Sequence, residues 1–212
     1  MTALRPATFG QDRQFPTSLQ TMTRLLNVDL RRNVPAPEAS PELSDLYRLF
    51  DIEGFRLNMG RRFDSLWGDV RVHVKDDRES PPGLTDFFRT VPFHIVSKPF
   101  VELLKRFGVA CEFLPLRVRY RGKWLCGEYF ALNVLSVVGD AVDRELSKFA
   151  SYDEGPLEEV EHLELRDAVL AATPIAYLSE VCCYAVNDEL AAAISSAGLS
   201  GVATSRPEDS RS

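Results

Sequence analysis

The 212-residue sequence has no long hydrophobic run and no mark of a secreted or membrane protein. No apolar stretch approaches the roughly 20 residues that a membrane-spanning helix needs. Residues 1–15, MTALRPATFGQDRQF, lack the apolar region of a secretory signal peptide. Hydrophobic residues make up 45% of the chain and charged residues 26%, which is typical of a globular protein with its own core. We therefore expect a cytoplasmic protein that does not associate with membranes.

Cysteine and histidine, which often hold metal ions, are scarce. The chain has four cysteines and three histidines, and no cysteines have the spacing of a structural zinc site. The cysteines are Cys111, Cys126, Cys182 and Cys183. All four lie in apolar segments typical of strands, so we expect reduced thiols in the core. A strained bridge between the two adjacent cysteines is the alternative. We expect no metal ion and no other cofactor.

The motifs of common enzyme classes are also absent. The sequence contains no nucleophile elbow, no glycine-rich phosphate loop and no dinucleotide-binding fingerprint. One catalytic alternative stays open: Cys111, His94 and Asp140 would form a triad if folding brought them together. Cys126 is a second choice of nucleophile. Because His94 stands in an apolar extended segment, we favour a hydrogen-bonded core residue there and predict no catalytic residues.

Acidic residues outnumber basic ones by 31 to 25, which leaves a net charge of −6. This balance disfavours binding to the phosphates of nucleic acids. The acidity is concentrated in residues 151–167, where Arg166 is the single cation. The carboxylates that we consider there for partner binding are Asp153, Glu154, Glu158, Glu159, Glu161 and Glu164. This acidic segment is either a solvated connection or a surface that attracts a basic partner protein.

The main basic feature is a row of arginines on a predicted strand. Arg117, Arg119 and Arg121 alternate with apolar residues, so they share one face at intervals of about 7 Å. The tripeptide at residues 121–123, RGK, predicts a tight turn into the long apolar run of residues 124–138. Because the chain is acidic, we expect these arginines to pair across the hairpin with carboxylates such as Glu128.

The clearest pattern is one helical plan that occurs twice. Ser97 and Asn187 each end an apolar extended run and can cap a helix, and Gly108 and Gly198 follow 11 residues later. Apolar residues between cap and glycine recur at i, i+3, i+4 and i+7. They are Phe100, Leu103, Leu104 and Phe107 in the first segment, and Leu190, Ala193, Ile194 and Ala197 in the second. We predict an α+β fold whose mixed or mainly antiparallel sheet is covered by short helices in two similar strand-helix-strand units.

The N-terminal part carries weaker signals. Residues 1–40 contain scattered prolines and no sustained period, which indicates an irregular arm. Ser40 followed by Pro41 predicts the start of a short helix. The expected apolar face of this helix consists of Leu43, Leu46, Tyr47 and Phe50. We assign residues 41–205 to a single domain and residues 206–212 to a flexible tail.

Three successive segments carry a family resemblance. They are FHIVSKPFVELLKRFGVACEFLPLRV, YFALNVLSVVGDAVDRELS and YAVNDELAAAISSAGLSGVATSRP. In order and pattern they resemble the bacterial immunity-protein family eleven of polymorphic toxin systems, over about residues 90–205. The resemblance implies a cytoplasmic α+β inhibitor that binds a cognate secreted toxin and blocks it without catalysis. The toxin is then expected to be the product of an adjacent gene, used in competition between bacteria and delivered by a route such as type VI secretion.

Two other functions stay open at this point. One is an adaptor or chaperone that escorts a secreted effector without inhibiting it. The other is the small cysteine-dependent enzyme described above, which requires a reactive thiolate in an electropositive pocket.

Overall fold

The computed structural model describes residues 23–28, 38–52, 55–75, 83–150, 159–166, 170 and 173–207. The strands are β1 (Thr23–Val28), β2 (Glu38–Pro41), β3 (Val70–Lys75), β4 (Phe87–Arg89), β5 (His94–Ser97), β6 (Cys111–Tyr120), β7 (Lys123–Val134), β8 (Val137–Val138), β9 (Lys148–Ala150), β10 (Glu159–His162), β11 (Ile175–Leu178), β12 (Cys183–Asn187) and β13 (Val202–Ser205). The helices are α1 (Leu43–Phe50), α2 (Asp64–Trp67), α3 (Lys98–Arg106) and α4 (Asp188–Ser196).

These elements form two main sheets, which confirms the predicted α+β class. The first sheet has six strands in the order β2-β3-β6-β7-β5-β4, and β3 is parallel to β6 while the other neighbours are antiparallel. The second sheet has five strands in the order β13-β1-β12-β11-β8, with one parallel pair, β11 and β8. Strands β9 and β10 form a separate antiparallel pair. Both main sheets are therefore mixed, as predicted.

The β6–β7 hairpin is the central pair of the first sheet. Its turn residues Arg121 and Gly122 both have left-handed backbones, with φ of 49° and 76°, as a tight two-residue hairpin turn requires. The register shifts between Leu116 and Arg117, where β7 bulges around Gly127. Because a bulge bends a strand and increases its twist, the arginine-bearing end of the hairpin departs from the plane of its buried end.

The two predicted helices form where their caps indicate. The Ser97 hydroxyl accepts a hydrogen bond from the Phe100 amide at 3.4 Å, and the Asn187 side chain accepts one from the Leu190 amide at 2.9 Å. The glycine after each helix is left-handed, with φ of 62° and 66°. The buried side chains are Phe100, Val101, Leu103 and Leu104 on α3 and Leu190, Ala191 and Ile194 on α4. Each helix thus buries one apolar stripe, although Ala197 at the end of the second stripe is exposed.

Each of these helices makes the same kind of connection within its sheet. Strands β5 and β6 both run antiparallel to β7, which lies between them. Strands β12 and β13 both run antiparallel to β1, which also lies between them. Helices α3 and α4 therefore each join two parallel strands across one antiparallel strand, which is a split β-α-β arrangement.

Among the described residues, the core has three parts. The first lies between one face of the first sheet and the segment 43–67, and it includes Leu49, Phe63, Trp67, Val72 and Leu116. The second packs α3 and α4 with residues of both sheets, among them Phe100, Leu132, Tyr184, Val186 and Ile194. The third covers the second sheet with residues of the 141–170 region and includes Leu25, Val142, Leu163, Leu178 and Ala185. None of the described helices has the length and apolar character needed to cross a bilayer.

The structure corrects the expectation of an irregular N-terminal arm. Residues 23–28 form β1, which lies between β12 and β13 and contributes Leu25 and Leu26 to the core. Residues 38–41 form β2 at the edge of the first sheet. The short length of both strands hid their period in the sequence. Residues 1–22, 29–37 and 208–212 lie outside the described residues, so the rest of the arm and most of the tail stay predictions.

The first helix differs from its prediction in start and orientation. Ser40 and Pro41 belong to β2, and α1 begins at Leu43. The expected apolar face points largely outward, since Leu43, Tyr47 and Phe50 are 68%, 66% and 56% exposed. Buried positions are instead Asp45 and Leu49. The physical reason is a polar anchor: the Asp45 carboxylate accepts hydrogen bonds from the backbone amide of Arg71 at 2.9 Å and from its Nε at 3.3 Å.

Candidate functional site

One face of the first sheet carries a cluster of cationic and aromatic side chains. Strand register places His73 beside Arg119, and Arg119 opposite Trp124. It also places Arg71 beside Arg117. The alternate residues of β3 and β6 are buried against the segment 43–67, so these five side chains point to the other side of the sheet. We call them the Trp124 face.

Trp124 is the centre of this face. The Cζ atoms of Arg117 and Arg119 lie 5.1 Å and 5.9 Å from the centroid of the indole. The imidazole of His73 meets the indole edge-on at a centroid distance of 5.6 Å. Each guanidinium lies within the roughly 6 Å at which a cation is attracted to the face of an aromatic ring. The indole is 38% exposed, so contacts from two neighbouring strands hold an accessible aromatic surface in place.

Carboxylates compensate part of the positive charge on this face. Arg117 pairs with Asp69 at 3.1 Å, which raises the pKa of the guanidinium. Asp69 precedes β3, the strand next to β6, whereas the predicted partner Glu128 lies in the bulge of β7. The bulge takes Glu128 off the regular ladder, so the prediction that it pairs with the arginines was wrong for Arg117. Arg121 lies in the turn that was predicted at residues 121–123, so only Arg117 and Arg119 belong to the arginine row of β6.

The edge of the Trp124 face nearest α1 is neutralised. Glu42 pairs with Arg71 at 3.0 Å and with the Nε2 atom of His73 at 2.9 Å, and Asp45 pairs with Arg71 at 3.3 Å. Within the described residues, no carboxylate pairs with Arg119. On the described part of this face, Arg119 is thus the arginine that has the indole, rather than a carboxylate, as its contact.

The structure describes only part of the predicted acidic segment. Asp153, Glu154 and Glu158 lie outside the described residues, and only the backbone of Glu159 is described, in β10. Glu161 is exposed. Glu164 accepts a hydrogen bond from the His162 imidazole at 3.1 Å. Residues 159–162 form a strand rather than the solvated connection that the charge pattern indicated, because they pair with β9.

His94 belongs to the core rather than to an open pocket. Its ring stacks on Phe87 at a centroid distance of 5.3 Å, and its Nδ1 atom lies 3.2 Å from the Tyr184 hydroxyl. Burial, followed by the charge of Arg89, lowers the pKa of His94 to about 4. The imidazole is therefore neutral at pH 7. Asp140 lies on the surface, where it pairs with Arg166.

The four thiols are free and fall into two classes. Burial raises the pKa of both Cys111 and Cys183 to about 12, so they stay protonated at neutral pH. Cys126 and Cys182 are exposed, which contradicts the expectation that all four lie in the core. Cys126 faces outward opposite Arg117, and Cys182 lies in the turn before β12, where its φ is 50°. Among the described residues, no group of histidine, cysteine and carboxylate side chains has a metal-binding arrangement.

A buried polar network joins the sheets near His94. Asn133 donates to the Glu112 carboxylate at 2.7 Å and accepts from the Asn58 amide at 2.7 Å. The Asn58 side chain donates to the Tyr184 hydroxyl at 3.0 Å. The backbone amide of Phe63 also donates to Glu112, at 2.9 Å. Because its polar groups find partners within the protein, we assign this network to the stability of the fold.

The comparison with protein families decides the identity of the chain. The model of the immunity protein family Imm11 matches residues 22–173, which is more than half of the sequence. The chain belongs to the immunity protein family Imm11. No curated protein matches the chain significantly.

The match changes the extent of the expected resemblance. In this Imm11 protein the matched region begins at residue 22 and so includes β1, which the resemblance over residues 90–205 left out. It ends at residue 173, before α4 and β13. Both the Trp124 face and the acidic segment lie inside the matched region.

Sequence analysis of this Imm11 protein missed Trp124 as a surface residue. In the sequence, Trp124 stands at the start of the long apolar run of residues 124–138, which gives it no mark of a surface residue. The signal that identifies it is the hairpin turn at residues 121–122, which places Trp124 opposite Arg119 on the polar face of β6.

Proposed function

We propose that this Imm11 protein binds a cognate toxin in the cytoplasm of the producing bacterium and neutralises it without catalysis. The family match carries the proposal, because immunity proteins protect their producers from toxins. A second observation supports it: the first sheet presents an ordered surface that contains an exposed tryptophan and two exposed arginines. Such residues often provide most of the free energy of protein association.

The environment of the candidate catalytic groups supports an inhibitor rather than an enzyme. The thiol of Cys111 has a pKa of about 12 and is not a nucleophile at neutral pH. The Nδ1 atom of His94 is engaged by Tyr184, and Asp140 pairs with Arg166. Blocking a toxin requires only a surface that covers its active site or its substrate path.

Survival of cells that express a toxin tests this proposal. The toxin encoded beside the gene for this chain is induced in a sensitive strain, with and without the chain. We expect the chain to restore growth and to bind a catalytically inactive variant of the toxin in a one-to-one complex. An adaptor or chaperone would bind the toxin and leave the cells sensitive, which would overturn the proposal. Failure to bind the toxin would overturn it as well.

We further propose that the acidic segment accelerates encounter with a basic region of the toxin. Its support is the concentration of carboxylates in residues 151–167, together with the exposure of Glu161. Charges outside the centre of an interface change the association rate more than the dissociation rate. The segment is therefore expected to affect how fast the complex forms and to have little effect on how long it lasts.

Charge reversal tests the role of the acidic segment. Replacing Glu158, Glu159 and Glu161 with lysine should slow association with the inactive toxin at low ionic strength and leave dissociation nearly unchanged. The matched control replaces three exposed carboxylates on other elements, Asp51, Glu102 and Glu189, with lysine. The control corrects for the change in net charge. An equal association rate for the two variants would remove the acidic segment from the encounter surface.

A further inference from the structure

We infer that the Trp124 face is the surface that the toxin covers, and that the toxin places carboxylates against it. This inference rests on the proposed function and adds to it a location and a partner chemistry. The occupant is an acidic segment of the toxin that carries an apolar side chain for the indole and a carboxylate for Arg119.

The first argument is the composition of the face. Tryptophan and arginine are the residues most enriched among those that dominate binding free energy. Here they lie together, since Arg117 and Arg119 flank the indole of Trp124 at 5.1 Å and 5.9 Å. The other tryptophan, Trp67, is 1% exposed and belongs to the core. The exposed indole of Trp124 thus contrasts with the buried indole of Trp67.

The second argument is charge. Arg71 and Arg117 already have carboxylate partners, which are Glu42 and the buried Asp45 for Arg71 and Asp69 for Arg117. Within the described residues, Arg119 contacts the indole but pairs with no carboxylate. Arg121 and Lys123 are exposed at the turn next to it. Among the residues that the structure describes, this end of the hairpin carries positive charge, and the partner that complements it is one that brings carboxylates.

The third argument is preorganisation. Ordering a flexible side chain on binding costs about 0.5–1.5 kcal/mol, and a side chain that is already fixed avoids much of that loss. Asp69 fixes Arg117 at 3.1 Å, and His73 contacts the indole while Glu42 holds His73 at 2.9 Å. Trp124 and Arg117 are thus held in position by groups on β3 and beside it before any partner arrives.

The area of the face sets its role within a larger interface. Strand spacings make the region from β2 to β7 about 15 Å wide and about 15 Å long, or roughly 200 Å². A standard interface buries roughly 800 Å² on each partner. The Trp124 face can therefore supply only part of the contact, and neighbouring surfaces supply the remaining area.

Two substitutions test the inference against a matched control. Trp124→Ala removes the indole and Arg119→Glu reverses the free charge. Arg62→Glu makes the same charge change at an exposed arginine in the segment that covers the opposite face of the sheet. Binding of each variant to the inactive toxin is measured by titration calorimetry, and thermal unfolding verifies that each variant is folded.

We expect Trp124→Ala and Arg119→Glu each to raise Kd by at least about 30-fold, which corresponds to a side chain that contributes about 2 kcal/mol. Arg62→Glu should stay within about twofold of the original protein. Equal binding by all folded variants would overturn the inference and leave the proposed function intact. Tighter binding by Arg119→Glu would overturn the acidic character of the partner. Failure of the unsubstituted protein to neutralise the toxin would overturn the proposed function itself.

Tryptophan fluorescence gives a second, direct readout. Because Trp67 is buried, acrylamide quenches mainly Trp124 in the free protein. Adding the inactive toxin should protect the indole from acrylamide, and the Trp124→Phe variant should show no such change. A single-stranded oligonucleotide serves as the second probe, since it also combines negative charge with apolar rings. Protection by the oligonucleotide and not by the toxin would show a nucleic-acid surface and overturn the inference.

Discussion

The carboxylate of Asp86 binds Ser200 at a distance of 114 positions in the sequence. Its Oδ2 atom accepts hydrogen bonds from the amide and the hydroxyl of Ser200, both at 2.8 Å. Its Oδ1 atom accepts a hydrogen bond from the Ser97 hydroxyl at 2.6 Å, and Ser97 caps α3. One side chain thus connects the start of α3 to the loop that follows α4, and it couples the two sheets.

We predict that Asp86→Ala destabilises the protein by about 3 kcal/mol. The substitution leaves the Ser200 amide and two hydroxyl groups without their charged acceptor, and hydrogen bonds to charged groups contribute about 1.5–3 kcal/mol each. Urea unfolding followed by circular dichroism measures the loss. Glu128→Ala, at an exposed position on β7, should change the free energy of unfolding by less than about 0.5 kcal/mol. Similar losses in the two variants would contradict the coupling role of Asp86.

After α4 the chain passes close to Thr85 and Phe87, and this gives a prediction for Gly201. A Cβ atom at this position would overlap the Phe87 carbonyl oxygen and lie 2.6 Å from the Thr85 Cβ, and φ is +74°. Gly198 has a similar φ of +66° but no atom within 4 Å of such a Cβ. Gly198→Ala should therefore cost only the left-handed strain of about 1–2 kcal/mol, whereas Gly201→Ala should cost clearly more. Unfolding in urea compares the two variants; equal costs would show that the loop relaxes freely.

The buried imidazole of His94 makes stability depend on pH. Its pKa in the folded protein is about 4, below the ordinary value of 6.5, and the groups around it are Phe87, Tyr184 and Arg89. As pH falls below 6.5, His94 binds a proton in the unfolded chain but stays neutral in the folded protein. The contribution of His94 is therefore complete above about pH 6.5, and up to about 3 kcal/mol is lost as pH falls towards 4.

His94→Gln tests this dependence. We expect its free energy of unfolding to fall less between pH 7 and pH 4 than that of the original protein, because the glutamine does not titrate. The carboxylates titrate in both proteins, so the difference between the two pH profiles isolates the contribution of His94. Parallel pH profiles for His94→Gln and the original protein would contradict the assignment.

Thiol reactivity should separate the cysteines into two pairs. Cys126 and Cys182 are exposed and should react with a disulfide reagent such as DTNB in the native state. Cys111 and Cys183, whose pKa is about 12, should react only after unfolding. Mass spectrometry after native alkylation identifies the modified residues. Modification of Cys111 as fast as Cys126 would contradict the buried environment of the former.

The same chemistry gives a footprint of the toxin. Because Cys126 lies opposite Arg117 and faces the same side of the sheet, inactive toxin should slow its alkylation. Cys182, in the turn before β12 of the second sheet, should react at an unchanged rate and serves as the internal control. Equal rates for Cys126 with and without bound toxin would place the interface elsewhere.

Local signals in the sequence were sufficient for α3, α4 and the central hairpin. Ser97 and Asn187 cap α3 and α4 as predicted, because a cap depends on the three residues that follow it. The alternation in β6 correctly separated Arg117 and Arg119 from the buried Leu116 and Val118. Period and turn chemistry are properties of neighbouring residues, so one sequence is enough to detect them.

The short strands and the orientation of α1 were not predictable in the same way. Nothing local distinguishes β1 from a loop, since its stability comes from β12 and β13, which lie more than 150 positions away. The side chains of Leu43, Tyr47 and Phe50 point outward because α1 is oriented by the hydrogen bonds between Asp45 and Arg71. The acidic segment can be recognised from the charge of its residues alone. The Trp124 face cannot, because it depends on cross-strand register.

The amino-acid sequence was enough to predict the α+β class, the positions of α3 and α4, and the outward face of the arginine strand. Each of these follows from the spacing of apolar and capping residues along the chain. Tertiary structure alone decided that β1 completes the second sheet, that Asp86 links distant loops, and that Asp69 rather than Glu128 pairs with Arg117. Those contacts join residues far apart in the chain, and their free energy exists only after the strands have come together.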